Sequence, residues 1–268
     1  MSGRLSSVVL FGLVVIATSM GCSVKEDRSG CPCVSMLDFS RVDTDRYDSA
    51  FLGLLSADGF LHRYVLDNGM YGEPYRVEVP KNGVWVNVCS VESGYDDLSG
   101  MLVPDWAGLH IPDGEECPPV NMFSVYVDTA AETVTVPVVL YKNYCVLSIE
   151  MVADVPADFS IAIEGNVCGY GKDGAPVPGN FRVVPGLDEK GCCSVRIPRQ
   201  TDSSLKLMIS DGDGVLKEFA VGEYIIESGY DWGTDSLEDV DIKIDYAKAD
   251  VTLVINDWET TFDINVEI

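Results

Sequence analysis

Apolar and polar residues alternate with a period of two along much of the chain. The pattern is clearest in residues 75–79, 84–88, 133–140, 242–246 and 262–268. A segment with this period places its apolar side chains on one face of a strand and its polar side chains on the other. Strands with one buried and one wet face are typical of antiparallel sheets. We therefore predict an all-β chain built as antiparallel β-sandwiches.

Turn-forming dipeptides separate the alternating segments. Asparagine or aspartate followed by glycine is the strongest short signal for a tight turn between two strands. No window of 12 or more residues carries a capped helical stripe, and the best helical turn lies near residues 95–98. The dipeptides are Asp58-Gly59, Asn68-Gly69, Asn82-Gly83, Asp173-Gly174, Asp211-Gly212 and Asp213-Gly214.

The first 21 residues have the form of a signal peptide. Arg4 precedes the apolar run Val8–Ala17, and the small residue Gly21 stands directly before Cys22. The apolar run is too short to cross a bilayer, which needs about 20 residues. Gly21-Cys22 resembles a lipobox, so we predict cleavage after Gly21 and lipidation of Cys22. An ordinary signal peptide followed by an incidental cysteine is the alternative.

The residues after Cys22 predict where the protein is sent. Lys25, Glu26 and Asp27 resemble the short signal that carries Bacteroidota lipoproteins to the outer face of the outer membrane. A solvated tether would have the same composition. We predict a lipidated tether over residues 22–33 and a location on the surface of the outer membrane.

The charge of the chain excludes one class of partner. The formal net charge is −25, while 47% of the residues are hydrophobic. The hydrophobic fraction is sufficient for a packed core and too high for a disordered chain. So acidic a surface repels phosphate backbones, and nucleic-acid binding is not expected.

Eight cysteines remain when Cys22 carries lipid. An even number in an oxidising compartment suggests disulfides, although eight cysteines allow 105 connectivities. A zinc site is the competing interpretation of Cys31-Pro32-Cys33, but one intervening residue is fewer than zinc ligand pairs use. We predict two or more disulfides and no metal. The candidates are Cys31, Cys33, Cys89, Cys117, Cys145, Cys168, Cys192 and Cys193.

We place a domain boundary at residues 141 and 142. One apolar strand ends there, and Tyr144–Glu150 begins the next without a proline- or glycine-rich linker. The predicted domains are therefore an N-terminal β-sandwich over residues 34–141 and a C-terminal one over residues 142–268. Residues 92–119 are weakly patterned and predict a long loop excursion.

The chain lacks the motifs that catalysis would need. His62 and His110 are the only histidines, and neither has a ligand spacing or a nucleophile motif. Residues 210–214 resemble the start of a calcium loop, but Gly222 stands where the closing Glu would be needed. Binding of glycans through aromatic side chains is the alternative function, although core packing is the more usual role of tryptophan. The candidate aromatic residues are Trp85, Trp106, Trp232 and Trp258.

The start of the mature chain resembles that of the FimB-like family. Cys22–Cys33, with the sequence CSVKEDRSGCPC, precedes the strand Val34–Ser40. FimB-like proteins are lipoprotein anchors and minor subunits of Bacteroidales fimbriae. Val254–Trp258 and the strand after it also resemble the end of that family.

The resemblance implies a fold, a role and a set of partners. The family fold is two transthyretin-like β-sandwiches in tandem. Its members fix a fimbrium to the outer membrane and help terminate assembly, so the implied partners are the major fimbrial subunit and other fimbrial proteins. Related subunits polymerise by strand exchange, a form of β-strand addition. The last strand, Thr261–Ile268, could be an exchanged strand, and we favour an ordinary edge strand.

Overall fold

The part of the chain before residue 143 forms nine strands among the residues described. The computed structural model describes residues 31–95, 98, 100–103, 108–152, 159–211, 214–245, 250–255 and 258–263. The strands are β1 (Cys33–Asp38), β2 (Ser49–Leu55), β3 (Leu61–Asp67), β4 (Tyr75–Val79), β5 (Val84–Val91), β6 (Leu109–His110), β7 (Val120–Val127), β8 (Thr133–Pro137) and β9 (Tyr141–Lys142), with a 3-10 helix at Asn68–Met70.

The part after residue 143 also consists mainly of strands. One α-helix lies within it, and it is neither long nor apolar enough to cross a membrane, as holds for every helix in the described ranges. The elements are β10 (Tyr144–Met151), β11 (Ser160–Tyr170), β12 (Pro176–Val183), β13 (Cys192–Pro198), β14 (Lys206–Asp211), β15 (Gly214–Phe219), α1 (Val221–Glu227), β16 (Val240–Asp245), β17 (Asp250–Ile255) and β18 (Trp258–Asp263).

The strands form four sheets. Sheet 1 has the order β4-β1-β8, and sheet 2 has the order β3-β2-β5-β7-β9. Sheet 3 has the order β12-β11-β14-β15, with β6 also paired to β11, and sheet 4 has the order β13-β10-β16-β17-β18. The pairs are antiparallel except β1 with β8 and β10 with β16, which are parallel. The predicted all-β class is confirmed, and the parallel pairs are an addition to the predicted antiparallel sheets.

The same order of pairing occurs twice along the chain. In sheet 1 the first strand, β1, lies between an antiparallel neighbour, β4, and a parallel one, β8. In sheet 4, β10 lies in the same way between β13 and β16. The orders β3-β2-β5-β7 and β12-β11-β14-β15 correspond as well. A parallel neighbour requires a long connection, and in each half the strands of the other sheet supply it.

Sheets 1 and 2 share one hydrophobic cluster between their facing sides. In β4 and β5 apolar residues stand at every second position and point inward, as the sequence predicts. Such burial of aliphatic side chains stabilises the fold by about 1.5–3 kcal/mol per residue. The cluster includes Leu37 and Phe39 from the β1 region, Leu52 and Leu54 from β2, Val77 and Val79 from β4, Val84, Val86 and Val88 from β5, and Val136 from β8.

Sheets 3 and 4 enclose a second cluster, which also takes residues from sheet 2. Cys89 of β5 and Val120 and Met122 of β7 belong to this second cluster. Sheet 2 is therefore buried on both faces along part of its width. From Pro32 to Ile268 the chain clusters as one compact unit. The division into domains at residues 141 and 142, between β9 and β10, stays a prediction.

Three of the predicted turns coincide with glycines in the left-handed region. Gly59 has φ 93° between β2 and β3, Gly83 has φ 86° before β5, and Gly174 has φ 73° between β11 and β12. Glycine adopts this region without the steric cost that a Cβ brings. Gly212 and Asp213, one residue from each of the last two predicted dipeptides, lie outside the described residues.

Strand β6 joins sheet 3 through an unusually close backbone approach. His110 pairs with Gly169 and Leu109 with Tyr170. Gly169 has φ 154°, and a Cβ there would lie 2.0 Å from the carbonyl oxygen of Leu109. Only glycine fits this position, because a backbone oxygen cannot move aside as the end of a side chain can.

We predict that Gly169→Ala destabilises the fold more than the same change at Gly59. Gly59 also has a positive φ, but no atom lies within 4 Å of its added Cβ. Gly59→Ala should therefore cost about 1 kcal/mol of backbone strain, and Gly169→Ala about 3 kcal/mol. Urea unfolding followed by circular dichroism measures both. Equal losses would contradict the close approach of β6 and β11.

Candidate protein interface

The edges of sheets 1 and 2 meet where β3 lies beside β4. His62 Nε2 lies 2.8 Å from the hydroxyl of Tyr75, within hydrogen-bond distance. The rings of Tyr64 and Tyr75 stack with centroids 5.1 Å apart and an angle of 28° between planes. His62 and Tyr64 belong to β3, and Tyr75 begins β4. These three aromatic side chains connect the two sheets at one edge of the first sandwich, which we call the β3–β4 rim.

Strand β3 exposes apolar side chains. Leu61 is 42% exposed, and Tyr64 and Val65 are each 39% exposed. Met70, in the 3-10 helix that follows, is exposed to a similar extent. Leu66 of the same strand is fully buried and holds β3 on the first cluster. Isolated exposed apolar residues are common on proteins, but four within ten residues form a local concentration.

The outer side of β3 has no strand partner within the described ranges. Its only paired neighbour there is β2, with an unbroken register from Ser49 opposite Asp67 to Leu55 opposite Leu61. Alternate residues of an edge strand direct their N–H and C=O groups away from the sheet. The β3–β4 rim therefore combines hydrogen-bonding groups with exposed apolar side chains.

The candidate glycan-binding tryptophans do not form a flat platform where the structure describes them. Trp85 meets Tyr126 edge to face, with ring centroids 5.6 Å apart and 63° between planes. Trp232 is buried and meets Tyr230 in the same way, at 4.7 Å and 62°. Trp106 lies outside the described residues, and the structure describes only the strand position of Trp258. A flat platform for sugars needs exposed rings that lie parallel, which these pairs do not offer.

Arg199 organises the polar contacts beside Trp232, a role that no motif in the sequence indicates. Its guanidinium donates to the backbone oxygens of Trp232, Thr234 and Asp235, and its Nε donates to Asn143 Oδ1 at 3.3 Å. A cleft of about 540 Å³ lies next to it. Four of the five N–H groups of Arg199 are therefore engaged in holding the chain. We assign this arginine a structural role.

All eight cysteines in the described part of the chain are free thiols. Cys33, Cys89, Cys117 and Cys145 are buried, whereas Cys31 is exposed. The predicted disulfides do not form in this structure. The number of cysteines predicts how many pairs could form. Each pair, however, also requires Cα atoms within about 7 Å and Cβ atoms that point toward each other. The other three, Cys168, Cys192 and Cys193, are half-buried.

Burial keeps several of these thiols protonated. It raises the pKa of Cys89 to about 12 and that of Cys145 to about 12. Burial also raises the pKa of Cys193 to about 11. Because the thiolate is the reactive and metal-binding form, these side chains behave as small apolar residues. No group of three or more metal-ligating side chains occurs in the part of the chain that the structure describes.

The predicted lipidation and export residues lie outside the described residues. They are Cys22, Lys25, Glu26 and Asp27. Their assignments stay predictions from the sequence.

Comparison with known proteins gives matches among solved structures alone. No family model matches the chain, and no curated protein does. The fimbrial anchor protein Mfa2 from Porphyromonas gingivalis superposes with a TM-score of 0.56 at 10% identity, covering 85% of this chain and 99% of Mfa2. A protein from Bacteroides ovatus, provisionally named an adhesin, gives a TM-score of 0.58 at 13% identity, covering 88% and 96%.

A third structure comes from Bacteroides thetaiotaomicron and is provisionally named a polysaccharide-binding protein. Its TM-score is 0.61 at 11% identity, covering 86% of this chain and 98% of that one. Identities this low show a shared fold. The predicted resemblance to FimB-like proteins is therefore confirmed at the level of the fold, since a fimbrial anchor protein is among these neighbours.

We predict that unfolded, unreduced protein titrates as eight thiols per chain when Cys22 is replaced by alanine. In the folded protein the exposed Cys31 should react first, and the four buried cysteines should react only after unfolding. Reaction with Ellman's reagent, with and without guanidinium, measures both. A count of four or fewer in the unfolded protein would show that the predicted disulfides form in solution.

We also predict that His62 makes the fold less stable in mild acid. Burial lowers the pKa of His62 below its ordinary value of 6.5. The unfolded chain therefore binds a proton at a higher pH than the folded chain does, and stability falls as the pH drops below about 6.5. Between pH 7.5 and pH 5.5, the free energy of unfolding in urea should fall more for the wild type than for His62→Gln. An equal fall in both proteins would refute the lowered pKa of His62. NMR titration of the imidazole ring measures that pKa directly.

Proposed function

We propose that this chain is a lipid-anchored surface protein of the outer membrane that holds a fimbrium and helps to terminate or regulate its assembly. The single observation that carries the proposal is the fold shared with a fimbrial anchor protein over nearly its whole length. The N-terminal sequence from Cys22 to Cys33 supports it independently, because it resembles the start of FimB-like lipoproteins. The exposed β3–β4 rim supports a role in protein contact.

The proposed anchor is the acylated Cys22. Two acyl chains hold a protein on a membrane far more firmly than one chain does. Lys25, Glu26 and Asp27 would direct the lipoprotein to the outer face. Eleven residue steps separate Cys22 from Cys33, the first residue of β1. At about 3.3 Å per residue such a tether reaches at most about 36 Å from the lipid.

The proposed partners are the major fimbrial subunit and other fimbrial proteins, contacted by β-strand addition. In that mode the backbone of an added strand supplies hydrogen bonds, and its alternate side chains supply specificity. The net charge of −25 fits an exported protein that stays soluble beside an anionic membrane. It also argues against a nucleic-acid partner.

We propose a non-enzymatic role. Within the described ranges His62 lies against Tyr75 in the rim, and His110 is exposed in the two-residue strand β6. Neither histidine lies in an arrangement of nucleophile, base and orienting group. Two of the neighbours in fold are a fimbrial anchor protein and a protein provisionally named an adhesin.

Glycan binding remains the second candidate, favoured by the name of the Bacteroides thetaiotaomicron neighbour. The two candidates differ in what their aromatic residues should do. A glycan binder exposes parallel rings on one face, whereas an anchor buries its rings and leaves a strand edge open. The edge-to-face geometry at Trp85, the burial of Trp232 and the exposed edge of β3 all favour the anchor.

We predict that Cys22→Ala releases the protein from the outer membrane. Without the acylated cysteine the chain has no lipid to hold it, and fimbriae should appear in the culture medium instead of on cells. Cell fractionation with immunoblotting, together with electron microscopy of shed fimbriae, measures the effect. Cys31→Ala is the matched control, since it removes a nearby exposed cysteine, and it should leave the protein on the membrane. Retention of the Cys22 variant on membranes would refute the anchor role.

A further inference from the structure

Edge strands of the described sheets differ in how well they are protected against pairing with another chain. Proteins protect edges by shortening strands, by placing proline or lysine in them, by bulges and by covering them. Strand β12 contains Pro176 and Pro178, and its register with β11 shifts twice. Strand β15 is paired to β14 with a register shift after Ile209. Strand β8 has five residues and ends at Pro137.

The remaining edges are short, covered or polar, with the exception of β3. Strand β9 has two residues and β4 has five. Beyond β9, the β11–β12 turn approaches β7, and Ser124 Oγ lies 2.9 Å from the backbone oxygen of Lys172. Strand β13 is joined by the backbone of Cys117, whose N–H donates to Arg196 at 3.0 Å. Strand β18 consists of Trp258–Asp263, WETTFD, with two acidic residues and two threonines.

Strand β3 lacks most of these protections, although it carries the charged residues Arg63 and Asp67. It is seven residues long, contains neither proline nor lysine, and pairs with β2 without a register shift. Two exposed apolar residues, Leu61 and Val65, project from one face of the strand, since they are four positions apart. Tyr64 projects from the opposite face and stacks on Tyr75 of sheet 1. A long, regular edge with exposed apolar side chains pairs readily with another strand.

We propose that β3 is the strand to which an extended segment of a fimbrial subunit adds, so that sheet 2 gains a sixth strand at the β3–β4 rim. The proposal rests on the proposed function and specifies the contact surface for it. Backbone groups of the added strand bond to the outward N–H and C=O groups of β3. Side chains on one face of the added strand lie beside Leu61 and Val65, and those on the other cover the Tyr64–Tyr75 stack.

The geometry and charge of the rim define the added segment. One face of the segment meets Leu61 and Val65 with Arg63 between them, and the other meets the Tyr64–Tyr75 stack, so the segment is rich in β-branched and aromatic residues. A second copy of this chain is disfavoured, because two molecules of net charge −25 repel each other. The segment therefore belongs to a different subunit and carries few acidic residues.

The test compares one substitution at two valines of matched exposure. Val65 on β3 is 39% exposed, and Val177 on the protected edge β12 is 38% exposed. Lysine on an edge strand opposes pairing with another chain. Val65→Lys should reduce the fimbrial polymer that co-purifies from unboiled cell extracts by about tenfold. Val177→Lys should leave it unchanged, and circular dichroism checks that both variants are folded.

The outcomes separate the inference from the proposed function. If the wild type brings down the polymer and Val65→Lys brings down as much, β3 is not the contact strand and the anchor role stands. If Val65→Lys and Val177→Lys lose the same amount of co-purified polymer, the assignment to β3 is also overturned. If the wild type brings down no fimbrial polymer, the proposed function and the inference both fail.

A photo-crosslinking residue at Leu61 identifies the occupant of the edge. The inference expects a crosslink to an apolar, extended segment of a fimbrial subunit, and none when the residue stands at Val177. A crosslink to a second copy of this chain, or none from position 61, overturns the inference. Because Leu61 is 42% exposed, the replacement is compatible with the folded sandwich.

Discussion

Burial of sheet 2 on both faces is the constraint on which the rest of the structure depends. Val84, Val86 and Val88 of β5 pack into the first cluster, while Cys89 of the same strand packs into the second. A strand that is apolar on both sides cannot leave either side in water without losing about 25 cal/mol for each Å² of apolar surface. The second cluster therefore has to lie against sheet 2. Among the strands described, β3 is the long, regular edge that this sheet leaves open.

The alternating pattern predicted the strands well and their surroundings less well. Tyr75–Val79 and Val84–Val91 form as the sequence indicated. Asn87, however, was expected on a wet face and is buried, with Ser124 Oγ donating to its side-chain oxygen at 2.6 Å. Alternation distinguishes the two faces of a strand, but it does not predict whether another part of the chain packs on the polar face. The parallel neighbours of β1 and β10 were missed for the same reason, since pairing is set by contacts distant in sequence.

The candidate interface could not be predicted from the sequence either, because the exposure of a strand depends on its position in the sheet. Residues 61–67, LHRYVLD, show neither strict alternation nor a continuous apolar run. Leu61 and Val65 are exposed because β3 falls at the end of the order β3-β2-β5-β7-β9, which the local sequence does not encode. Disulfides were predicted from an even cysteine count, but the buried thiols Cys33 and Cys89 belong to different clusters. The N-terminal motif, by contrast, indicated a resemblance that the fold shared with a fimbrial anchor protein supports.

The central place of β1 in sheet 1 has a mechanical consequence. It is the first strand after the tether, and it is paired on both sides, with β4 from Cys33 to Leu37 and with β8 from Val34 to Asp38. Ladder hydrogen bonds lie roughly across the strands, so tension applied along the chain from Cys22 would load them in shear. Bonds loaded in shear must yield together, whereas those of a peeled edge strand yield one after another. An appendage pulled by flow would thus strain two ladders at once before the first strand could be drawn out.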